Sequence, residues 1–278
     1  GGWGGDPFRD AAREVTGVAL LPIAFEELSA AYDRADAKQA QEIVARWSEA
    51  AREVVEPTAE DLQKSGRMYV AMKDLLGKHD ARGISINCLG GFYGGHMEAY
   101  PCLGFSQLNN DGLVGGCEAD QMSALTMAVM GALTGRPGYI SDPVIDTSRN
   151  AIIYAHCVAM TKPFGPDGAA NPFRIRNHSE DRKGASIQSL LPEGYMTTSF
   201  RTNFSRKQMV IHQAKSTGCI DSESGCRTKL AAEVCGDIGK LFDQWDQFGW
   251  HRVTVYGDVM EPLTEFGKAL GLTVFQEA

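Results

Sequence analysis

The sequence predicts a mixed α/β protein in two parts: an α/β domain over residues 1–145 and a β-rich, barrel-like domain with closing helices over 146–278. Two observations predict it. In the first half, short apolar runs alternate with amphipathic helical segments, the pattern of a parallel sheet with helices on its faces. After about residue 143 the texture changes to short β-rich runs separated by turn residues at barrel-like spacing. A chain of 278 residues is long enough to bury both cores.

Each element has its own signal. Asp6-Pro7 opens a short helix, "GVALLPI" (17–23) reads as a buried strand, and 25–32 is amphipathic. Asp36 caps a helix over 37–54 with Ile43, Val44, Trp47, Ala51 and Val54 on one stripe. Thr58 caps another over 59–76, whose Leu62, Met68, Tyr69, Met72 and Leu75 recur at helical spacing. "GISIN" (83–87) is a strand ending at Asn87, Pro101 opens a helix through Leu108, and "LVGGC" (113–117) is a strand. Asp120 caps a helix to Leu133, and "GYIS" (138–141) is a strand that the following Asp-Pro ends. Downstream, "NAIIYAHCVA", "KGASIQSL", "YMTTSFRTNF", "KQMVIHQAKS" and "TKLAAEV" read as strands, and the Pro-, Gly- and Asn-rich stretch 162–181 as a long loop over a site. A helix over 238–248, the strand "HRVTVYG", a helix over 261–270 and the strand "LTVF" close the chain.

A net charge of −8 without any Lys/Arg-rich run argues against a nucleic-acid or anionic-membrane partner. No apolar stretch reaches the length of a bilayer. The opening "GGWGGDPFRD" has neither a starting Met nor a signal-peptide pattern and reads like the inside of a longer chain. Seven cysteines without a CxxC pair read as reduced thiols of a cytoplasmic protein, with Cys219 and Cys226 the two that a loop could bridge.

The chemistry centres on two carboxylates. Glu118 follows "LVGGC" and Asp142 follows "GYIS", and function in open α/β sheets gathers at the carboxyl ends of strands. If these strands are neighbours joined by the intervening helix, their tips lie about 5 Å apart. Two carboxylates so placed can chelate one divalent cation or act as an acid/base pair. Each also has a purely structural reading: Glu118 as an acid favoured by a helix dipole, Asp142 as a turn former. His251, alternating with Val253 and Val255, reads by itself as a core histidine. His178 in "RNHSED" can reach substrate hydroxyls or simply be an exposed loop residue. Asn87 and His96 are candidates to line the crevice, and Trp245 and Trp250 to stack on a sugar or pack in the core. His212 reads as structural and His79 as solvated.

"PCLGFSQLNNDGLVGGCEADQMSALTMAVMGALTGRPGYISDP", then "NAIIYAHC" and "WHRVTVYGD", together resemble the C-terminal part of the L-fucose isomerase/L-arabinose isomerase superfamily, nearest its fucose isomerase-like branch. The resemblance runs from the helix after Thr58 to the end of the chain. It implies that residues 1–145 form the family's second Rossmann-like domain and that a barrel-like C-terminal domain supplies a late histidine. It further implies a divalent cation, Mn2+ or alternatively Mg2+ or another, on Glu118, Asp142 and His251, with His156 similar to an additional ligand of the arabinose branch. The implied activity interconverts a sugar aldose and ketose through an enediol, with Glu118 and Asp142 as acid/base groups in either assignment. A homo-oligomer and a further α/β domain ahead of the matched region are also implied. Two departures stand out: the matched region begins at the second domain, and "HCVAMTKPFG" after His156 is longer and less apolar than the family pattern. A non-catalytic sugar-binding or regulatory protein of the same fold, or a related lyase or epimerase, fits the same residues.

Overall fold

Local signals set where the helices begin. The computed structural model describes residues 4–278, so the first three residues of the opening glycine-rich run lie outside the described part. Helix α1 (Asp6–Thr16) starts on Asp6-Pro7, and α2 (Phe25–Arg34) follows. The Asp36 side chain accepts from the Gln39 N–H at the start of α3 (Ala37–Ala50). Thr58 and Asp61 form a reciprocal capping box on α4 (Ala59–Lys78). Such a cap is worth about 1 kcal/mol.

The remaining elements are β1 (Glu53–Val54), β2 (Gly83–Ser85), α5 (Cys88–Tyr93), α6 (Cys102–Asn110), β3 (Val114–Gly116), α7 (Gln121–Thr134), β4 (Tyr139–Asp146) and β5 (Ala151–His156). They continue with β6 (Phe173–Arg176), β7 (Ser186–Ser189), β8 (Met196–Asn203), β9 (Gln208–Cys219), β10 (Thr228–Val234), α8 (Ile238–Gln244), β11 (Arg252–Tyr256), α9 (Met260–Ala269) and β12 (Thr273–Gln276). Strands β2 and β3 form a parallel pair, and β1, β6 and β7 a small mixed sheet. The large sheet runs β10-β5-β4-β11-β8-β9-β12, and β10 also pairs with β9, so six strands follow one another in a ring. The protein is thus mixed α/β, with a large sheet and helices.

Four expectations are corrected. "GVALLPI" is not a buried strand: residues 17–24 have no regular structure, and Leu21 is 60% exposed. This segment stands off β2 across an apolar cleft of about 1020 Å³, and Pro22 offers no N–H to a ladder. Helix α3 stops at Ala50, because residues 53–54 pair with β6 instead. Stretch 162–181 is not loop throughout, since Phe173–Arg176 is strand β6. The largest correction concerns β3 and β4. They are not neighbours in one parallel sheet: β4 lies antiparallel between β5 and β11, and it runs on through Asp142 and Pro143 to Asp146. Proline is tolerated there because β11 pairs with β4 only as far as Ser141, so at Pro143 the strand is an edge on that side.

Packing nevertheless brings the ends of β3 and β4 together. Helix α7 is apolar on nearly all sides, as suits a helix buried between two layers. Val114 of β3, Met127 of α7, Ile140 of β4 and Val253 of β11 form one buried cluster beneath the site. Each such side chain contributes about 1.5–3 kcal/mol on burial.

Candidate functional site

Strand β3 is held in place by its glycines. A Cβ on Gly115 would lie 2.5 Å from the Phe105 Cα, so α6 packs backbone to backbone against it. The Asn109 amide locks the register, its Oδ1 accepting from the Gly115 N–H (2.8 Å) and its Nδ2 donating to the Gly115 carbonyl (3.3 Å). The chain then turns sharply: Glu118 and Ala119 both adopt left-handed backbone, with φ of 60° and 52°. Two such non-glycine residues in succession cost of order 1–3 kcal/mol each. Hydrogen bonds hold the turn, Ala119 N–H to the Ile86 carbonyl (2.9 Å) and Asp120 N–H to the Cys117 carbonyl (3.1 Å).

This turn points Glu118 at residues arriving from the large sheet. His251 Nε2 lies 3.2 Å from Asp142 Oδ1 and 3.6 Å from Glu118 Oε2. His156 Nε2 lies 3.8 Å from Glu118 Oε1 and 4.0 Å from Asp142 Oδ2. Both histidines are buried, while the two carboxylates are partly open to solvent. Trp250 Nε1 donates to Asp142 Oδ1 at 2.8 Å, and its ring is half exposed. Behind Glu118, the thiols of Cys88 and Cys117 are 3.3 Å apart.

The residue that the sequence reading missed is Asp120. It caps α7, accepting from the Ser123 N–H (2.9 Å) and hydroxyl (2.6 Å). Its other role is to meet His251 Nδ1 at 2.9 Å, with the Arg201 guanidinium 3.8 Å away. Asp120 was legible as a cap; its approach to a histidine 131 residues later left no local signal. A carboxylate on Nδ1 fixes a ring proton there and aims Nε2 at Glu118 and Asp142, where a bound cation would replace the Nε2 proton, the arrangement of a metal-ligating histidine. The electrostatics agree. Burial pushes the His251 pKa down, but the hydrogen bonds its ring donates to Asp120 and Asp142 outweigh it and raise it to about 9. Burial likewise pushes Asp142 and Asp120 up, and their histidine contacts more than reverse it, leaving both below the usual carboxylate range. The cluster therefore favours positive charge at its centre.

His156 differs from His251. The Cys157 N–H donates to its Nδ1 at 3.0 Å, so in the neutral ring the proton sits on Nε2. That Nε2 is buried without a hydrogen-bond partner among the described residues. It is an orphaned donor aimed at the space between the two carboxylates. The Asp142 carboxylate, the His251 imidazole and the His156 Nε2–H all lie within 4.8 Å of one another, and the first two suit a divalent cation.

The structure thus brings together Glu118, Asp142, His156 and His251, and Trp250 touches Asp142. Asn87 and His178 are used otherwise. The Asn87 side chain caps α5, and His178 Nδ1 pairs with Asp181 at 3.2 Å. His96 stacks on Phe25, and His79 is paired with Glu27 at 2.7 Å rather than merely solvated. Cys226 packs near Ser179 and Cys157 instead of Cys219.

Asp120→Asn is expected to lower divalent-cation affinity by about 10–100-fold. Asparagine is as good an N-cap as aspartate, so α7 keeps its start. Mn2+ titration followed by electron paramagnetic resonance, alongside a thermal melt, checks both statements.

No family model matches the chain. It is similar to curated proteins named sulfoquinovose isomerase. It is 25% identical over 220 residues to that of Priestia aryabhattai, covering 77% of this chain and 48% of that protein. Against that of Clostridium sp. (strain MSTE9) it is 25% identical over 217 residues, covering 74% and 46%. Against that of Alkalicoccus urumqiensis it is 21% identical over 221 residues, covering 77% and 48%. The chain spans about half the length of the curated relatives it matches. Its likeness is to sugar isomerases, with no particular leaning toward those of fucose or arabinose.

Proposed function

We propose that this chain carries the metal-binding site of an aldose–ketose isomerase and that its substrate is sulfoquinovose or a closely similar sugar. The observation that carries the reading is the convergence of Glu118, Asp142 and His251 with the His251 ring anchored on Asp120. Glu118, Asp142 and the His251 Nε2 would hold a divalent cation, for which Mn2+ is the leading candidate. Such a cation polarises adjacent sugar oxygens and so acidifies the C–H bond between them.

The chain's own groups divide the remaining work. Asp142 Oδ1 is engaged by both the Trp250 indole and His251, which holds it in place as a ligand. The Glu118 oxygens are 3.6 and 3.8 Å from the two imidazoles, beyond hydrogen-bond range. Glu118 is therefore the carboxylate free to move a proton between the two carbons, and the His156 Nε2–H is placed to donate to a sugar oxygen. Trp250 offers a flat apolar face beside them.

The test is metal analysis and product formation with the chain as it stands. Sulfoquinovose incubated with Mn2+-loaded chain in deuterated water should yield ketose carrying solvent deuterium. Chelator should abolish this and Mn2+ restore it. Ketose without deuterium would indicate a hydride shift instead of a carboxylate base. Metal and sugar bound with no ketose formed would leave a sugar-binding module.

A further inference from the structure

Strand register extends the site sideways. Ser141 pairs with Arg252, which sets Asp142 beside His251; Asp142 pairs with Ala155, and Ala155 with Lys229. Residues directly opposite one another in antiparallel strands project to the same face. Lys229 therefore emerges on the face that bears Asp142, two strands away, or about 10 Å. Along the row between them stands the small side chain of Ala155, and the Cys226 thiol, gathered with Ser179 near Cys157, lies close to both Asp142 and Lys229.

The environment of Lys229 is unusual for a lysine. The residue is 7% exposed, and its ammonium donates to the Ser222 carbonyl at 2.8 Å. Among the described residues it makes no ion pair, since Glu223, the acid beside it in the turn, is taken by Arg176 (3.0 Å) and Arg227 (3.2 Å). An ammonium has three donors, and one is used. A buried charge left without a counter-ion is costly, so an anion brought by a ligand would be stabilised there.

We propose that Lys229 anchors an oxyanion at the far end of the sugar whose reacting carbons lie at Glu118, Asp142 and His251. The proposal rests on the isomerase reading and specifies its substrate class. The anion is a sulfonate in preference to a phosphate ester. One ammonium balances one negative charge, whereas the second charge of a phosphate would face Asp142 and Glu118 uncompensated.

Calorimetric titration of the Mn2+-loaded chain with three probes tests this: sulfoquinovose, its neutral 6-deoxy counterpart quinovose, and glucose 6-phosphate. Sulfoquinovose should bind about tenfold or more tighter than quinovose, the usual worth of a charged hydrogen bond. That ratio should fall to near one in Lys229→Met and largely survive in Lys229→Arg. Equal affinities in the wild type, or an undiminished ratio in Lys229→Met, would reduce Lys229 to a clamp on the 220–227 turn. Tighter binding of glucose 6-phosphate than of sulfoquinovose would overturn the choice of a monoanion. Should Lys229→Met fail to fold, the wild-type ratio and its decline with added salt decide. Both sugars bound and isomerised without preference would sink the anion site alone; neither sugar bound would sink the isomerase reading with it.

Discussion

The Glu118→Gln chain is expected to lose sugar isomerisation by about 10²–10⁴-fold, the worth of a positioned general base, and to bind Mn2+ more weakly. Glutamine has the same shape and the same left-handed backbone to adopt, so the turn at 118–119 is no more strained than before. What disappears is the negative charge between His156 and His251 and the only carboxylate of the cluster outside hydrogen-bond range of its neighbours. Stability should change by less than about 0.5 kcal/mol, because the side chain is partly exposed. Ketose formation, exchange of the sugar C–H with deuterated water and a thermal melt, run on one preparation, separate these effects. Wild-type turnover in this variant would move the base elsewhere in the site. Lost metal with retained exchange at saturating Mn2+ would leave Glu118 as a ligand only.

Glu277→Ala should destabilise the fold by about 3–5 kcal/mol, the cost of leaving a buried partner charge uncompensated. Glu277 and Arg252 are both fully buried, joined by Arg252 Nε to Oε1 at 2.9 Å and Nη2 to Oε2 at 2.6 Å. The same carboxylate meets His212 Nδ1 at 2.7 Å, and His212 Nε2 meets the Tyr154 hydroxyl at 2.7 Å. The Arg252 guanidinium also lies 4.1 Å from the centre of the Trp245 ring. Because Arg252 follows His251, this buried network braces the strand that delivers the histidine to the site.

The pH dependence follows from the same group. Burial pushes the Glu277 pKa up, but Arg252 and then His212 reverse this and bring it from 4.5 to about 2. A carboxyl depressed in the folded state adds stability above its unfolded pKa. That stability is lost as pH falls from about 4.5 toward 2, and it amounts to about 3 kcal/mol by linkage. Urea titrations of wild type and Glu277→Gln between pH 6 and pH 3 should therefore converge toward acid. A constant gap between the two curves would deny the carboxylate its role.

Local pattern determined much of this protein. Asp36, Thr58 and Asp120 start helices where their spacing predicts, because a cap is satisfied by backbone within four residues of it. The runs that became β8, β9, β10 and β11 are legible as short β-rich runs between turn residues, although β8 and β11 are buried on both faces. Glu118, Asp142, His156 and His251 were all singled out, and they stand within about 4 Å of a neighbour in the cluster.

Tertiary structure alone decided how they meet. The sequence suggested adjacent strands of one parallel sheet; instead β3 and β4 belong to different sheets, and α7 packed between them brings their ends together. Asp120 turning its second oxygen to His251, the short strand hidden in 162–181, and the pairing of Arg252 with Glu277 were equally illegible. Each depends on partners dozens of residues away, and composition and periodicity report only on a residue's own neighbours along the chain. "GVALLPI" shows the converse. Its apolar run is strand-like in itself, yet without a paired edge among the described residues it forms no strand, since a strand exists only through its ladder.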